Sequence, residues 1–336
     1  MQLSFIARIL CLVFCGTALM QLLLECLAWA ACPSFPATFA PPKLRRPESL
    51  HSGLRAAEQT LFWLALATRL IPWLLVCGLL LPAYLRTEDN LSSERVGLLC
   101  PILALSFVGL SFVHLLRLGR AIDASRRCVQ RSSPPDRSST REPNILVHSG
   151  RHSLLAVAGI FSANILVSRR ILSEGRFSPE SLAVAFAHER SHIRHRDNLK
   201  LILLTLLPNL PVCTSGRPSL EQRWRLAVEM AADEEGTLGQ PARSLLLADM
   251  LVTLAREGTH TVPAIMLSLH GSADHLRLRV ERLLEPRSPS VVFGNVLSGR
   301  FQAMSVVITF ATAVIALSLV CIILGHHAAE ILFHVL

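Results

Sequence analysis

The chain has little of several things that would otherwise decide its class. Charged residues are only 17% of its 336 residues while 51% are hydrophobic, and mean hydropathy is +0.46, too apolar for an ordinary soluble domain. Tyrosine occurs once, at Tyr84. The nine cysteines never form a Cys-x-x-Cys pair, which excludes a zinc ribbon. Cys11, Cys15, Cys26, Cys77, Cys100 and Cys321 fall in apolar stretches, where a thiol acts as a small hydrophobe. Cys128 and Cys213 fall on the side expected to be cytoplasmic, so no disulfide framework is implied. No internal repeat is visible. The arginine-rich stretch 117–141 has neither aromatic interleaving nor a DNA-reading motif, so direct nucleic-acid binding is not expected and a hold on anionic membrane lipid is.

What is present begins with four apolar stretches long enough to cross a bilayer, at about 5–31, 61–85, 96–116 and 303–324. Lysine and arginine placement orients them. The first loop carries Lys43, Arg45, Arg46 and Arg55, and the segment after the third span carries Arg117, Arg120, Arg126, Arg127 and Arg131. The loop between the second and third spans is acidic, with Glu88, Asp89 and Glu94, and the tail after Gly325 has no lysine or arginine. The positive-inside rule therefore expects the N-terminus outside and the block between spans three and four in the cytoplasm. Ala28-Trp29-Ala30 resembles a signal-peptide cleavage site, but cleavage would reverse this charge pattern, so the first span is read as a retained anchor. Glu25 and Arg69 stand at similar depth in the first two spans and are candidates for an intramembrane pair, unless Arg69 snorkels to the interface.

The expected organisation is a three-helix membrane region at 1–131, a Pro/Ser-rich linker at 132–143, a domain at 144–290, the fourth span at 303–324 and a short outer tail at 325–336. In the domain, short apolar runs at 144–148, 154–160 and 164–168 read as strands. Helices are expected over 179–198, 220–235, 242–256 and 275–284, giving an α+β layout. The apolar run 201–212, interrupted by Pro208 and Pro211, is too short to span easily and reads as a buried or interfacial helix.

Ala187-His188-Glu189-Arg190-Ser191-His192 is an H-E-x-x-H motif. Residues four apart share one helix face, so His188 and His192 can bind one Zn²⁺ through their ring nitrogens. Glu189 can take the proton of a water polarised by that metal. Ser178-Pro179-Glu180 supplies a helix start: a serine cap, proline at the first position and an acid in the first turn. Leu182, Ala183, Phe186 and Ala187 form an apolar stripe leading into the motif. Burying an unpaired His-Glu-His on such a helix is costly, and a metal supplies the missing partner. On the next helix Glu229 and Asp233 stand one turn apart. Glu229 can complete a His₂Glu site with a fourth position for water, and Asp233 can accept the free ring N–H of a ligand histidine. Alone, Glu229 and Asp233 would read as a solvated acidic face. Their place after H-E-x-x-H favours the metal reading.

On these residues the chain resembles the BlaR/MecR-type membrane zinc metallopeptidases, the antibiotic-sensor and signal-transducer proteases of bacteria. Segments 187–198 and 227–234 carry the resemblance, with Asn164-Ile165-Leu166-Val167-Ser168 ahead of them. It implies an α-helical membrane protein of four transmembrane helices with an inserted α+β, gluzincin-like zinc metallopeptidase domain. It implies one catalytic Zn²⁺ on His188, His192 and Glu229, with Glu189 as general base and Asp233 orienting a ligand histidine. It further implies a multi-pass protein of the bacterial inner membrane whose protein substrate is a cytoplasmic transcriptional repressor or the chain itself. Segment 284–301, rich in proline, serine and glycine, is a candidate self-cleavage site or an inert tether. Sensor-type members carry a penicillin-binding domain after the fourth span, and this sequence has none, so β-lactam sensing is not expected.

Membrane proteases of the HtpX/CAAX-processing type share the motifs but place membrane helices before the third ligand, where only 201–212 could serve. A catalytically silent membrane transducer is the reading from another class, although every catalytic position is filled. A homodimer is a further expected partner state. An electrophile for the oxyanion is also needed. Tyr84 lies at the outer end of the second span, which leaves His275, Arg277 and Arg279 as candidates, with His275 and Arg279 carried forward. His195 is expected at the surface, and Trp224 in the core or at the membrane interface.

Overall fold

A computed structural model describes residues 5–31, 47–87, 98–133, 145–149, 153–159, 162–173, 177–207, 219–256 and 273–285. Helix α1 spans Phe5–Ala31, and α2 (Pro47–Leu75) runs through a π turn at Val76–Leu80 into α3 (Leu81–Thr87). The turn follows Pro72, which removes a backbone donor from α2, and within it the Leu81 N–H reaches five residues back to Val76 O. Helix α4 spans Leu99–Gln130. Among the described residues three stretches are long and apolar enough to cross a membrane: Phe5–Ala28, Leu54–Leu85 and Leu99–Gln130. The expected fourth span, 303–324, lies outside the described residues, as do linker residues 134–143 and the self-cleavage candidate beyond Glu285.

The second and third of these stretches are 32 residues each, or about 48 Å of helix against a hydrocarbon core of about 30 Å. Each is therefore longer than an untilted crossing requires. At its end α4 passes directly into the sheet: β1 (Ser132–Ser133) pairs antiparallel with β2 (Ile145–His148). The first two residues of the expected linker are thus a sheet strand. Strands β3 (Leu155–Ala158) and β4 (Asn164–Ser168) complete a sheet of order β1-β2-β4-β3, with β2 and β4 parallel and β3 and β4 antiparallel. Ile145, Leu155, Ile165 and Val167 pack with Val184 and Ala185 of α6 (Pro179–His195) and Leu247, Leu251 and Leu254 of α9 (Pro241–Arg256). Between β4 and α6 stands the short α5 (Arg169–Ser173).

Helix α6 begins as its sequence dictates: Ser178 Oγ accepts the Ser181 N–H at 3.1 Å, with Pro179 at the first position. It stops at His195 rather than near 198, because Arg196 adopts the left-handed conformation (φ 52). The chain then restarts as α7 (Asp197–Leu206). Run 201–212 is helical through Leu206, with Leu201 and Leu204 buried and Leu203 and Leu206 exposed.

A second core joins membrane helices to the domain. Leu24 and Ala28 of α1 and Leu61, Phe62 and Ala65 of α2 pack with Leu201 and Leu204 of α7 and Trp224, Ala227 and Val228 of α8 (Leu220–Thr237). Fully burying each large aliphatic contributes roughly 1.5–3 kcal/mol. The domain is built onto its membrane helices rather than hung from a tether. Arg69 joins the same seam: it donates to Leu204 O and, at 2.8 Å, to Glu221 Oε2. Its close ion-pair partner is Glu221 on α8, while Glu25, hydrogen-bonded by Gln21 within α1, still feels the Arg69 charge. Helix α10 (Ala273–Leu284) closes the far side against α8 and α9.

Candidate metal centre

Three ligand atoms converge between α6 and α8. His188 Nε2 lies 3.1 Å from His192 Nε2 and 3.6 Å from Glu229 Oε2, and His192 Nε2 lies 3.8 Å from Glu229 Oε1. Ligands about 2.0–2.1 Å from one tetrahedral ion sit about 3.3 Å apart, so the spacings suit a single divalent metal. Among the described residues, His188, His192 and Glu229 form the only group of three or more ligand-type side chains drawn together in this way, within 4.8 Å of one another. The two helices can approach because α8 carries Gly236 opposite the motif. A Cβ there would lie 3.1 Å from His188 N and 3.2 Å from its Cα.

Both imidazoles are turned by carboxylates on their outer nitrogens. Asp197 Oδ2 lies 3.0 Å from His192 Nδ1. Asp233 Oδ1 lies 3.0 Å from His188 Nδ1. Each arrangement directs Nε2 inward. Asp233 therefore stands where the sequence suggested. Asp197 was not foreseen, although it follows the motif closely, because the pairing depends on the break at Arg196 that swings it back beneath His192.

Arg279, one of the candidate oxyanion electrophiles, is salt-bridged to two carboxylates. Its Nε and Nη2 donate to the two Asp233 oxygens at 2.8 and 2.7 Å, and its Nη1 lies 2.9 Å from Glu229 Oε2. Fully buried, the guanidinium serves as a clamp that fixes two carboxylates. His275 stands one turn earlier on α10, half-buried, and Arg277 faces solvent in a pair with Glu281. His195 pairs with Glu235 at 2.9 Å, and Trp224 is a core residue whose Nε1–H donates to Glu58.

Glu189 is wholly buried, and neither carboxylate oxygen has a hydrogen-bond partner. Burial pushes its pKa up to about 6, against the opposing pull of His188 and His192. An orphaned buried carboxylate beside two inward-facing imidazoles fits a site built for a cation and a water. Burial raises the Glu229 and Asp233 carboxyls, but Arg279 and the neighbouring histidines together outweigh it and hold both below the ordinary range. For His188 burial lowers the pKa, while Asp233 and Glu229 outweigh it and raise it to about 9. The chain matches no family model, no curated protein and no solved structure.

Proposed function

We propose that the chain is an integral-membrane zinc endopeptidase of the BlaR/MecR type, cutting peptide bonds on the cytoplasmic side. The observation that carries this reading is the convergence of His188, His192 and Glu229 around one point, with an unpartnered Glu189 beside it. When bound, zinc supplies a Lewis acid that polarises a peptide carbonyl and lowers the pKa of a water. Glu189 would take a proton from that water and return it to the leaving nitrogen, a role open to a buried carboxylate that no hydrogen bond commits elsewhere. Asp197 and Asp233 hold the histidine rings, and Arg279 holds Glu229 and Asp233.

The cytoplasmic placement rests on the lysine and arginine distribution of the sequence. The substrate is a protein: a cytoplasmic repressor, or the chain itself within 284–301. Between the motif and Glu229, α7 has ten residues, too few to span a membrane, which favours this reading over the HtpX/CAAX type. Metal analysis of the purified full-length protein tests it. One zinc per chain, with peptidase activity lost to chelation and restored by zinc, is expected; activity that survives complete zinc removal rejects it.

A further inference from the structure

Glu58 belongs to α2, inside the second membrane-spanning candidate, and is fully buried. Leaving a carboxylate uncompensated there would cost several kcal/mol. Two donors from the neighbouring domain hold its Oε1: Trp224 Nε1 on α8 at 3.0 Å and Lys200 Nζ on α7 at 2.9 Å. Lys200 Nζ also lies 3.0 Å from Asp197 Oδ1, and Asp197 Oδ2 lies 3.0 Å from His192 Nδ1. Three consecutive polar contacts thus run from a membrane helix to a histidine of the candidate metal centre.

Arg55, one turn earlier on α2, flanks this chain. Its Nη1 lies 3.8 Å from both Glu58 Oε2 and Asp197 Oδ2, its Nε donates to Glu235 at 2.8 Å, and its Nη2 donates to Ser191. Glu235 in turn meets His195 and Arg194. A lysine ammonium is a point charge on a flexible stem, so its position follows the anions around it. Shared between Glu58 and Asp197, Lys200 is fixed by both. Without Glu58 it is free to swing, and Asp197 loses the contact that sets its angle to His192.

We propose that Glu58 is a positioning residue for the metal centre. By fixing Lys200, and through it Asp197, it sets the ring of His192 and makes the second candidate span part of the site. The inference rests on the zinc reading of His188, His192 and Glu229.

The test uses full-length protein in lipid nanodiscs, as wild type, Glu58→Gln, Asp197→Asn and the double variant. Zinc affinity is measured by chelator competition, and the Co²⁺-loaded proteins are compared by their visible ligand-field bands. Asp197→Asn should weaken zinc binding about 10–100-fold, and Glu58→Gln about tenfold with shifted Co²⁺ bands. Because Glu58 acts through Asp197, the double variant should bind zinc no more weakly than Asp197→Asn alone. Lys200→Met breaks the same link from the domain side and should behave alike, which keeps the test decisive if Glu58→Gln does not accumulate. Wild-type affinity and bands in Glu58→Gln, or additive losses in the double variant, overturn the proposal while leaving the zinc reading intact. A wild type that binds no zinc overturns both.

Discussion

Arg279 is the residue on which the candidate centre most depends without touching a metal. It is fully buried and compensates both Asp233 and Glu229. Removing one partner of a buried ion pair strands the other, at a cost of about 3–5 kcal/mol. Arg279→Ala should therefore lose that much stability in denaturant unfolding, and Arg279→Lys should recover only part, because an ammonium cannot reproduce the planar two-bond grip. Gly236 sets a different constraint. Alanine is better than glycine in a helix by about 1 kcal/mol, yet its Cβ would press on the His188 backbone, where overpacking costs about 1–3 kcal/mol. Gly236→Ala should lower the thermal midpoint and weaken zinc binding. A variant as stable and as tightly zinc-bound as wild type would show that α6 and α8 have slack there.

Individual elements were legible in the sequence wherever their signal was local. The Ser178-Pro179 start of α6, the three apolar strands and the helices around Glu229 and Arg279 lie within a few residues of their expected places, because caps and apolar periodicity act over one or two turns. The shared face of His188 and His192 was legible for the same reason, since i, i+4 spacing on a helix needs no tertiary knowledge. What escaped were features that exist only across elements. In the sequence Arg55 reads only as a topology charge and Arg69 as a partner for Glu25; their pairs with Glu235 and Glu221 exist only because α2 packs on α8. The Arg69–Glu221 seam has a pH signature. Burial pushes the Glu221 carboxyl up, but Arg225 and Arg69 outweigh it and hold it at about 2, against an ordinary 4.5. A depressed folded-state value contributes stability that is full above about pH 4.5 and lost as pH falls through about 2. Its size is about 3 kcal/mol. The stability gap between wild type and Glu221→Gln, followed by denaturant unfolding, should be widest near pH 6 and nearly closed by pH 2. A gap independent of pH would show that the pair contributes nothing.

The molecule as a whole is a membrane-helix assembly onto which a small sheet and a helical layer are packed, with the candidate metal centre at their junction. Reporter fusions after Arg131 should report cytoplasm and fusions after Asp89 the outside, as positive-inside placement requires. The opposite pattern would put the centre on the external face. The identity of that centre is tested most directly by purified Glu189→Gln beside wild type and His188→Ala, each assayed for bound zinc and for cleavage of an unfolded protein substrate by mass spectrometry. Wild type should hold one zinc per chain and cut, Glu189→Gln should hold zinc and not cut, and His188→Ala should do neither. Cleavage by Glu189→Gln at the wild-type rate would contradict Glu189 as the base and, with it, the protease built around H-E-x-x-H.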